Sequence, residues 1–403
     1  MLTTVAATEA IARSMPNLDA EAVPLDQAVG RVLRQTVRSE RDQPPFDRVT
    51  MDGIAVSFDS FDGGNRSFAI EGTQHAGDPV QTLTGADGCI EIMTGGVLPR
   101  GTDCVIPVER VTVIDGVAAV ESGYETSRNQ FVHPQGSDHL RDCDILQPGA
   151  PISPMDIAII ASCGLDRVLV SRQPIVRVVS TGNELVPPGL AIEPHQIRLS
   201  NGPALVAMLA QHGFVDSEHA HLIDEPGVLE VRIAGLLREC NVLILSGGVS
   251  MGKADFVPQV LEKLGVKMVF HKISQRPGKP MWFGIGPDKQ AVFALPGNPV
   301  STLVCCRHYV LPALWLASGR QQTPQETATL AEDVLFDPDL TGFLPVRISV
   351  DDSGMIVAKP APTNTSGDFA ALSGTDGYVE LEKERNEFKA GSAVPLHRWL
   401  MRY

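Results

Sequence analysis

The sequence predicts a multidomain α/β protein: a central parallel-sheet domain, a helical linker segment, a β-rich segment and a C-terminal β segment. Two observations carry this. Between residues 174 and 320, strand-like apolar runs alternate with helical patterns, which builds a parallel sheet covered on both faces. From Ile54 to about Val132, and again beyond Gly319, short apolar runs are broken by Gly, Pro and Asp, the texture of small β domains. The bulk composition agrees, because 403 residues with 43% hydrophobic and 20% charged side chains suffice for two to four packed domains and are too apolar for disorder.

Taken in order, Val5–Met15 has helical apolar spacing and Leu25–Arg34 continues in the same style, so both are expected as surface helices. At Gln43 the texture changes to QPPFDRVTMDGIAV, where two prolines forbid a helix and Asp52-Gly53 reads as a tight turn before a short strand. EIMTGGVLPRGTDCVIPVE has strand, glycine turn and strand around Thr94, and on residue type alone a Thr before Gly-Gly is a turn cap. His133–Gly164 is proline-rich and becomes helical from Ser153, an N-cap with Pro154 in the first helical position. There follow strand Ile175–Ser180, helix Pro203–His212, strand His219–Ile223, helix Val228–Glu239, strand Val242–Leu245, helix Phe256–Leu264, strand Ala291–Leu295 and helix Val300–Leu316. The expected domains are residues 1–45 with 139–173 (helical linker), 46–138 (β-rich), 174–320 (α/β) and 321–403 (C-terminal β).

Charge and cysteine usage narrow the class. A formal net charge of −15 argues against a general nucleic-acid binder, whose affinity rests on many cations meeting phosphates. No signal-peptide pattern opens the chain and no apolar run approaches the ~20 residues of a spanning helix, so a cytoplasmic protein with no membrane partner is expected. The seven cysteines include no Cys-x-x-Cys pair, which favours buried free thiols over zinc or disulfides.

Functional expectation concentrates between Asn241 and Ser301. The runs Val242–Leu245 and Ala291–Leu295 each end in a Gly/Pro-rich turn that opens a helical pattern, and a basic segment lies between them. Glycines admit backbone N–H groups close to a phosphate, the following helix presents its positive end, and Lys272, Arg276 and Lys279 supply full charges, so a phosphorylated ligand is expected. Four loops fall just past the carboxyl ends of expected strands: Ser180–Glu184, Asp224-Glu225, Gly247–Asp255 and Pro296–Ser301. In an open parallel sheet that edge binds ligands, which would gather Thr181, Glu184, Asp224, Asp255 and Asn298 with two glycine turns. Helix capping explains Asp255 and Asn298 equally well when each is taken singly. Glu184, Asp224 and Asp255 could hold Mg²⁺, which prefers carboxylate and phosphate oxygens together. A rival reading is a P-loop nucleotidase, since Gly247–Lys253 fits Gly-x4-Gly-Lys; Ala254 in place of the Mg²⁺-binding hydroxyl and the negative Asp255 count against it.

PPFDRVTMDGIAV, GDP at 77–79, EIMTGGVLPRGTDCVIPVE, STGNEL, SGGVSMGKAD, RPGKP, LPGNPVST and Ser-Gly-Asp at 366–368 together resemble, along essentially the whole chain, the molybdopterin molybdenumtransferase family. These are the MoeA-like proteins, which include the E domain of gephyrin. The resemblance implies that the α/β domain is a MogA-like molybdopterin-binding domain and that the β-rich segment is a lid. It implies an enzyme that inserts molybdate into adenylylated molybdopterin with release of AMP, with Mg²⁺ as cofactor. It further implies an elongated homodimer whose lid acts on the partner's cleft, and contacts with a molybdopterin adenylyltransferase and with molybdoenzymes.

Matched position by position, Asp52 and Thr94 are the lid residues of the family site. Glu184, Asp224 and Asp255 are its acidic cleft residues, and Lys272 and Arg276 its basic ones. Asp138 matches the acid of a Gly-Glu-Asp turn. Substrate would be held by these and by Thr181, Gly247, Gly248, Ser250, Lys279, Pro296, Gly297, Asn298, Pro299, Ser301, Arg347 and Ser366. There are departures: Leu199 stands in place of an acid, Pro345 in place of an Arg that Arg347 would replace from the same strand face, and Arg48-Val49-Thr50 in place of smaller residues. Leu199 and Pro345 motivate an alternative, a non-catalytic cofactor-binding scaffold.

Overall fold

The computed structural model describes residues 1–248 and 256–400. At its centre is a six-stranded sheet in the order Ser217–Leu222, Val176–Thr181, Val242–Ser246, Ala291–Leu295, Trp282–Ile285, Lys267–His271. The first four strands run parallel in register, with Thr181 beside Leu222, Ser180 beside Ser246, and Ser246 beside Leu295. Trp282–Ile285 runs antiparallel between Ala291–Leu295 and Lys267–His271. The strands expected from sequence pair in parallel, and the basic segment between Val242–Ser246 and Ala291–Leu295 adds an antiparallel hairpin that makes the whole sheet mixed.

The parallel strands are apolar on both faces because helices cover both. Val242–Ser246 and Ala291–Leu295 are buried along their whole length. Val176, Val178, Ile244, Phe293 and Leu295 pack against helix Asn201–Gln211, the Pro299–Ala317 helix and Ala7 and Ile11 of the N-terminal helix Thr4–Ser14. Val179, Leu243, Leu245, Val292 and Ala294 pack against helices Pro226–Glu239 and Val257–Lys263. The Pro299–Ala317 helix is 19 residues long and apolar enough to cross a membrane by length and composition, contrary to the expectation that no run approaches that length. Its apolarity serves the core, since 72% of its apolar window is buried. Residues Cys306–Val310 make a π turn within it.

The Leu25–Arg34 helix is not formed. Ala20–Pro24 is a strand paired with Arg167–Ser171, and only Leu25–Gln27 makes a 3₁₀ turn. The apolar side chains that mimic helical spacing, Val23, Ala28 and Leu33, instead fill a small core with Val37, Ile160, Val168 and Val170. The Pro154–Ser162 helix does carry its expected cap, a reciprocal box in which Ser153 and Asp156 bond each other's backbone N–H. A second six-stranded sheet is ordered Cys104–Pro107, Gly53–Val56, Gly88–Ile92, Ser67–Gln74, Val117–Val120, Val111–Ile114. Towards the C-terminus, Thr341–Val350, Ile356–Pro360, Thr327–Leu330, Ala393–Arg398 and Gly377–Leu381 close into a five-stranded barrel, because the last pairs back with the first. Gln275–Arg276 adds alongside Thr341–Gly342, joining the α/β unit to that barrel.

Candidate active site

Register brings the four strand ends to one rim. Because Thr181 pairs with Leu222 and Ser246 stands between Ser180 and Leu295, the loops that follow leave the sheet side by side. Hydrogen bonds then tie the loops to one another. Asn183 Oδ1 accepts from the Asp224 N–H at 3.0 Å. Gly247 N–H donates to the Leu295 carbonyl at 3.3 Å. The Glu184 carboxylate folds back over Gly182, whose added Cβ would lie 2.8 Å from one of its oxygens. Glu184 is exposed and Asp224 half-buried, so both reach solvent at the sheet edge.

The glycine turn after Ser246 is compressed against Thr181. Gly247 and Gly248 have φ of +99° and +66°, and a Cβ on Gly247 would stand 2.7 Å from the Thr181 carbonyl oxygen. Only glycine tolerates both the backbone and the contact. Among the described residues the buried Thr181 Oγ1 has no hydrogen-bond partner, and it lies 2.9 Å from the Cβ position of Gly248, so its hydroxyl faces the turn. Ser250 and Asp255, and most of the Gly247–Lys253 P-loop match, lie outside the described residues.

The Pro296–Ser301 turn closes the other side. Asn298 stands at the N-cap of the following helix but its side chain makes no cap bond; its Nδ2 donates to Ser366 Oγ at 2.7 Å. The Ser366 carbonyl also accepts from Val300 N–H, so the C-terminal unit touches the rim here. Gly297 and Asn298 are exposed, Pro299 half-buried, and Pro296 and Ser301 buried beneath them. The residue that fastens this turn is Asn201, first in its helix: Nδ2 lies 2.8 Å from the Gly297 carbonyl, 2.9 Å from Ser246 Oγ and 3.3 Å from Thr302 Oγ1. Sequence reading passed over Asn201; its signal was a polar side chain at a helix start beside the same sheet edge. Leu199 is 3% exposed, a core side chain rather than a ligand.

Lys267–His271 runs in the same direction as the parallel strands, so the loop from Lys272 to Met281 leaves the sheet at this rim as well. Lys272 takes φ +71° there, and its N–H bonds the Met281 carbonyl. Gln275, also unanticipated, braces the loop: its Nε2 donates to the Pro277 carbonyl at 3.0 Å and its Oε1 accepts from the Tyr309 hydroxyl. Gly278 is obligatory, because a Cβ would sit 2.4 Å from Cys305 Sγ. Arg276 and Lys279 are exposed, and Lys272 is half-buried.

Three of the expected residues form a separate group on the β-rich unit. Asp52 Oδ1 accepts from the Thr94 N–H at 2.6 Å and from the Thr94 hydroxyl at 2.7 Å, and these two bonds hold the Asp52 carboxyl below its ordinary range. Asp138 lies 3.2 Å from His133 Nε2, while Arg48 Nη2 lies 3.2 Å from His133 Nδ1. A guanidinium can only donate, so Nδ1 accepts and Nε2 carries the proton towards Asp138. Arg48 thus has a structural task. Strand Arg48–Val49 also bonds the Thr94 turn, through Val49 to Gly95 and Gly96, which puts both pairs at one end of this sheet. Among the described residues no hydrogen bond joins this group to the α/β rim. Arg347 is exposed opposite Lys359, five residues and about 17 Å along its strand from the Arg276–Gly342 pairing.

The cysteines are free, and burial pushes the thiols of Cys89, Cys104, Cys240 and Cys306 up to about 12.

Comparison with known proteins covers the whole chain. Residues 2–164 match the MoeA N-terminal region (domain I and II), residues 177–315 a family described as "probable molybdopterin binding domain", and residues 327–399 the MoeA C-terminal region (domain IV). A molybdopterin molybdenumtransferase of Synechocystis sp. is 38% identical over 99% of this chain and 100% of its own length. That of Haemophilus influenzae is 30% identical over 93% of each. A crystal structure of a molybdopterin biosynthesis MoeA protein from Pyrococcus horikosii superposes with a TM-score of 0.84 at 28% identity, covering 100% of both chains.

Proposed function

Because this chain belongs to the molybdopterin molybdenumtransferase family and is a transferase of molybdenum cofactor biosynthesis, we propose that it inserts molybdate into adenylylated molybdopterin and releases AMP. The observation that supports this most directly is the in-register rim. Two carboxylates, a two-glycine turn, the Gly297-Asn298 turn and the basic 272–279 loop all leave one sheet edge. Such an edge suits a substrate with two phosphates and an oxyanion co-substrate.

Each group has a task in this reading. Lys272, Arg276 and Lys279 neutralise phosphate and molybdate charge, and the glycine turns let backbone come close to the phosphate path. Glu184 and Asp224, hard oxygen donors on adjacent loops beside Gly182, fit Mg²⁺, and Asp255 completes the set expected from sequence. Bound between Glu184 and Asp224, Mg²⁺ would supply positive charge beside the substrate's phosphates. Asp52, Thr94 and Asp138 act from the lid of a second subunit, in a cytoplasmic homodimer that takes its substrate from a molybdopterin adenylyltransferase and passes cofactor to molybdoenzymes.

The test is AMP release from adenylylated molybdopterin and molybdate by the purified protein. We expect turnover with Mg²⁺, loss of turnover with EDTA, and a fall of at least about a hundredfold in Asp224→Asn. No AMP release by the intact protein under any divalent ion would overturn the assignment, and ligand binding without turnover would favour a scaffold.

A further inference from the structure

A second polar cluster lies away from the rim, where the Pro299–Ala317 helix meets the C-terminal barrel. His308 sits in the π turn of that helix, about 14 Å along it from the rim end, and Glu380 and His397 come from neighbouring barrel strands. One ligand atom from each of the three lies within 4.8 Å of the other two, and His397 Nε2 is 3.2 Å from Glu380 Oε2. All three line a cavity of about 1270 Å³ between the N-terminal helix, the 299–317 helix and the barrel.

We propose that His308, Glu380 and His397 bind one Zn²⁺, which clamps the α/β unit to the C-terminal barrel, with a fourth coordination position open to the cavity. Two imidazoles and one carboxylate form a donor set that zinc takes with one site left over. The 3.2 Å separation of His397 Nε2 and Glu380 Oε2 matches the edge of a zinc tetrahedron, about 3.3 Å for bonds near 2.0 Å. His308 is also restrained by its neighbour, because its Nδ1 is 3.0 Å from the Tyr378 hydroxyl, a contact that zinc bound through Nε2 would leave in place. The rings are fixed by packing: His308 and His397 stand edge to face at 4.9 Å, and Tyr378 stacks on His397 at 5.0 Å.

The surrounding charges select the metal class. Arg398 is neutralised by three bonds to Glu326, whereas Arg307 is buried beside His308 with its Nε on the Arg398 carbonyl. Among the described residues, a cation placed here meets Arg307 and the single carboxylate of Glu380 in the cluster. Affinity must therefore come from imidazole nitrogen, which zinc accepts and Mg²⁺ or Ca²⁺ does not. This site is separate from the rim carboxylates assigned to Mg²⁺ and does not depend on that assignment.

The test uses untagged full-length protein titrated calorimetrically with Zn²⁺ and, separately, with Mg²⁺. One Zn²⁺ per chain is expected, with a higher melting temperature and X-ray absorption showing two imidazole ligands. Mg²⁺ should give neither effect at this site. Glu380→Gln should weaken Zn²⁺ at least about tenfold, and Tyr378→Phe, which keeps the ring and removes only the bond to His308, about tenfold. Absence of stoichiometric Zn²⁺, a spectrum without two imidazoles, or equal affinity in the folded Glu380→Gln protein each overturns the proposal.

Discussion

Replacing Asn201 with Ala tests whether the rim is held as a unit. The Asn201 amide has two hydrogens and three acceptors, at 2.8, 2.9 and 3.3 Å, so two bonds are well formed and the third is shared. Losing one part-buried and one exposed bond costs up to about 1 kcal/mol each, the larger share at Ser246 Oγ, which has less access to water. The sum is at most about 2 kcal/mol, or a fall of up to roughly 4–8 °C in the transition of the unit that carries it. Because the chain has several packing units, hydrogen exchange resolved by peptide is the better assay. Peptides covering 296–302 and 246–248 should exchange faster together, while those of the β-rich sheet stay unchanged. Transferase activity should fall with them, since Gly297 and Asn298 are released from one position. Unchanged exchange at 296–302, or a melting shift under about 1 °C, would refute the reasoning.

Two other outcomes are expected. Asp52 is held in its ionised form by the two Thr94 bonds, so its carboxyl titrates below the ordinary Asp range; the bonds are complete above that range and are lost as pH falls through the lowered value. In Thr94→Val one bond disappears and carboxyl NMR should show the Asp52 titration moving back up; an unmoved titration would contradict the assignment of cause. Gly53→Ala places a Cβ 2.0 Å from the Ile106 carbonyl oxygen in the next strand, so it should cost about 3 kcal/mol and open residues 46–138 to trypsin. The contrasting Gly235→Ala, in a helix with open space around the site, should stabilise by about 1 kcal/mol by thermal scan; equal effects of the two would sink the steric account.

Much of the rim was legible because period and punctuation coincide there. Runs such as Val242–Ser246, buried at every position, can only be central strands, and each ends in residues that cannot continue a strand or that start a helix. Legibility failed where a pattern had two physical solutions. Leu25–Arg34 has helical spacing, yet the strand before it, Ala20–Pro24, finds its partner in the distant Arg167–Ser171, and its apolar side chains are satisfied by a core that no local window reveals. The hairpin of Lys267–His271 with Trp282–Ile285 was hidden by its charge and by the proline turn between the strands. The 299–317 helix was read correctly as a helix, while its length and apolar character were underestimated because a histidine and an arginine interrupt the run. Gln275 is hidden for a different reason: it acts through a bond to a residue far away in sequence, and nothing local distinguishes it from an ordinary surface amide, while Asn201 offers only its place at a helix start.

Local sequence alone fixes the kind of chemistry this protein handles: which residue types follow which strands, that two turns demand glycine, and that carboxylates after the earlier strands are followed by a basic segment. These are consequences of local sterics and of charge, and they survive any arrangement of the units. Only the tertiary structure decided which of those groups share an edge, that Asp52 and Thr94 pair apart from the α/β rim, and that His308 faces Glu380 and His397 across a domain junction. Such meetings depend on strand register and on helix packing between segments up to hundreds of residues apart, and a shift of one residue in register would turn each side chain to the opposite face.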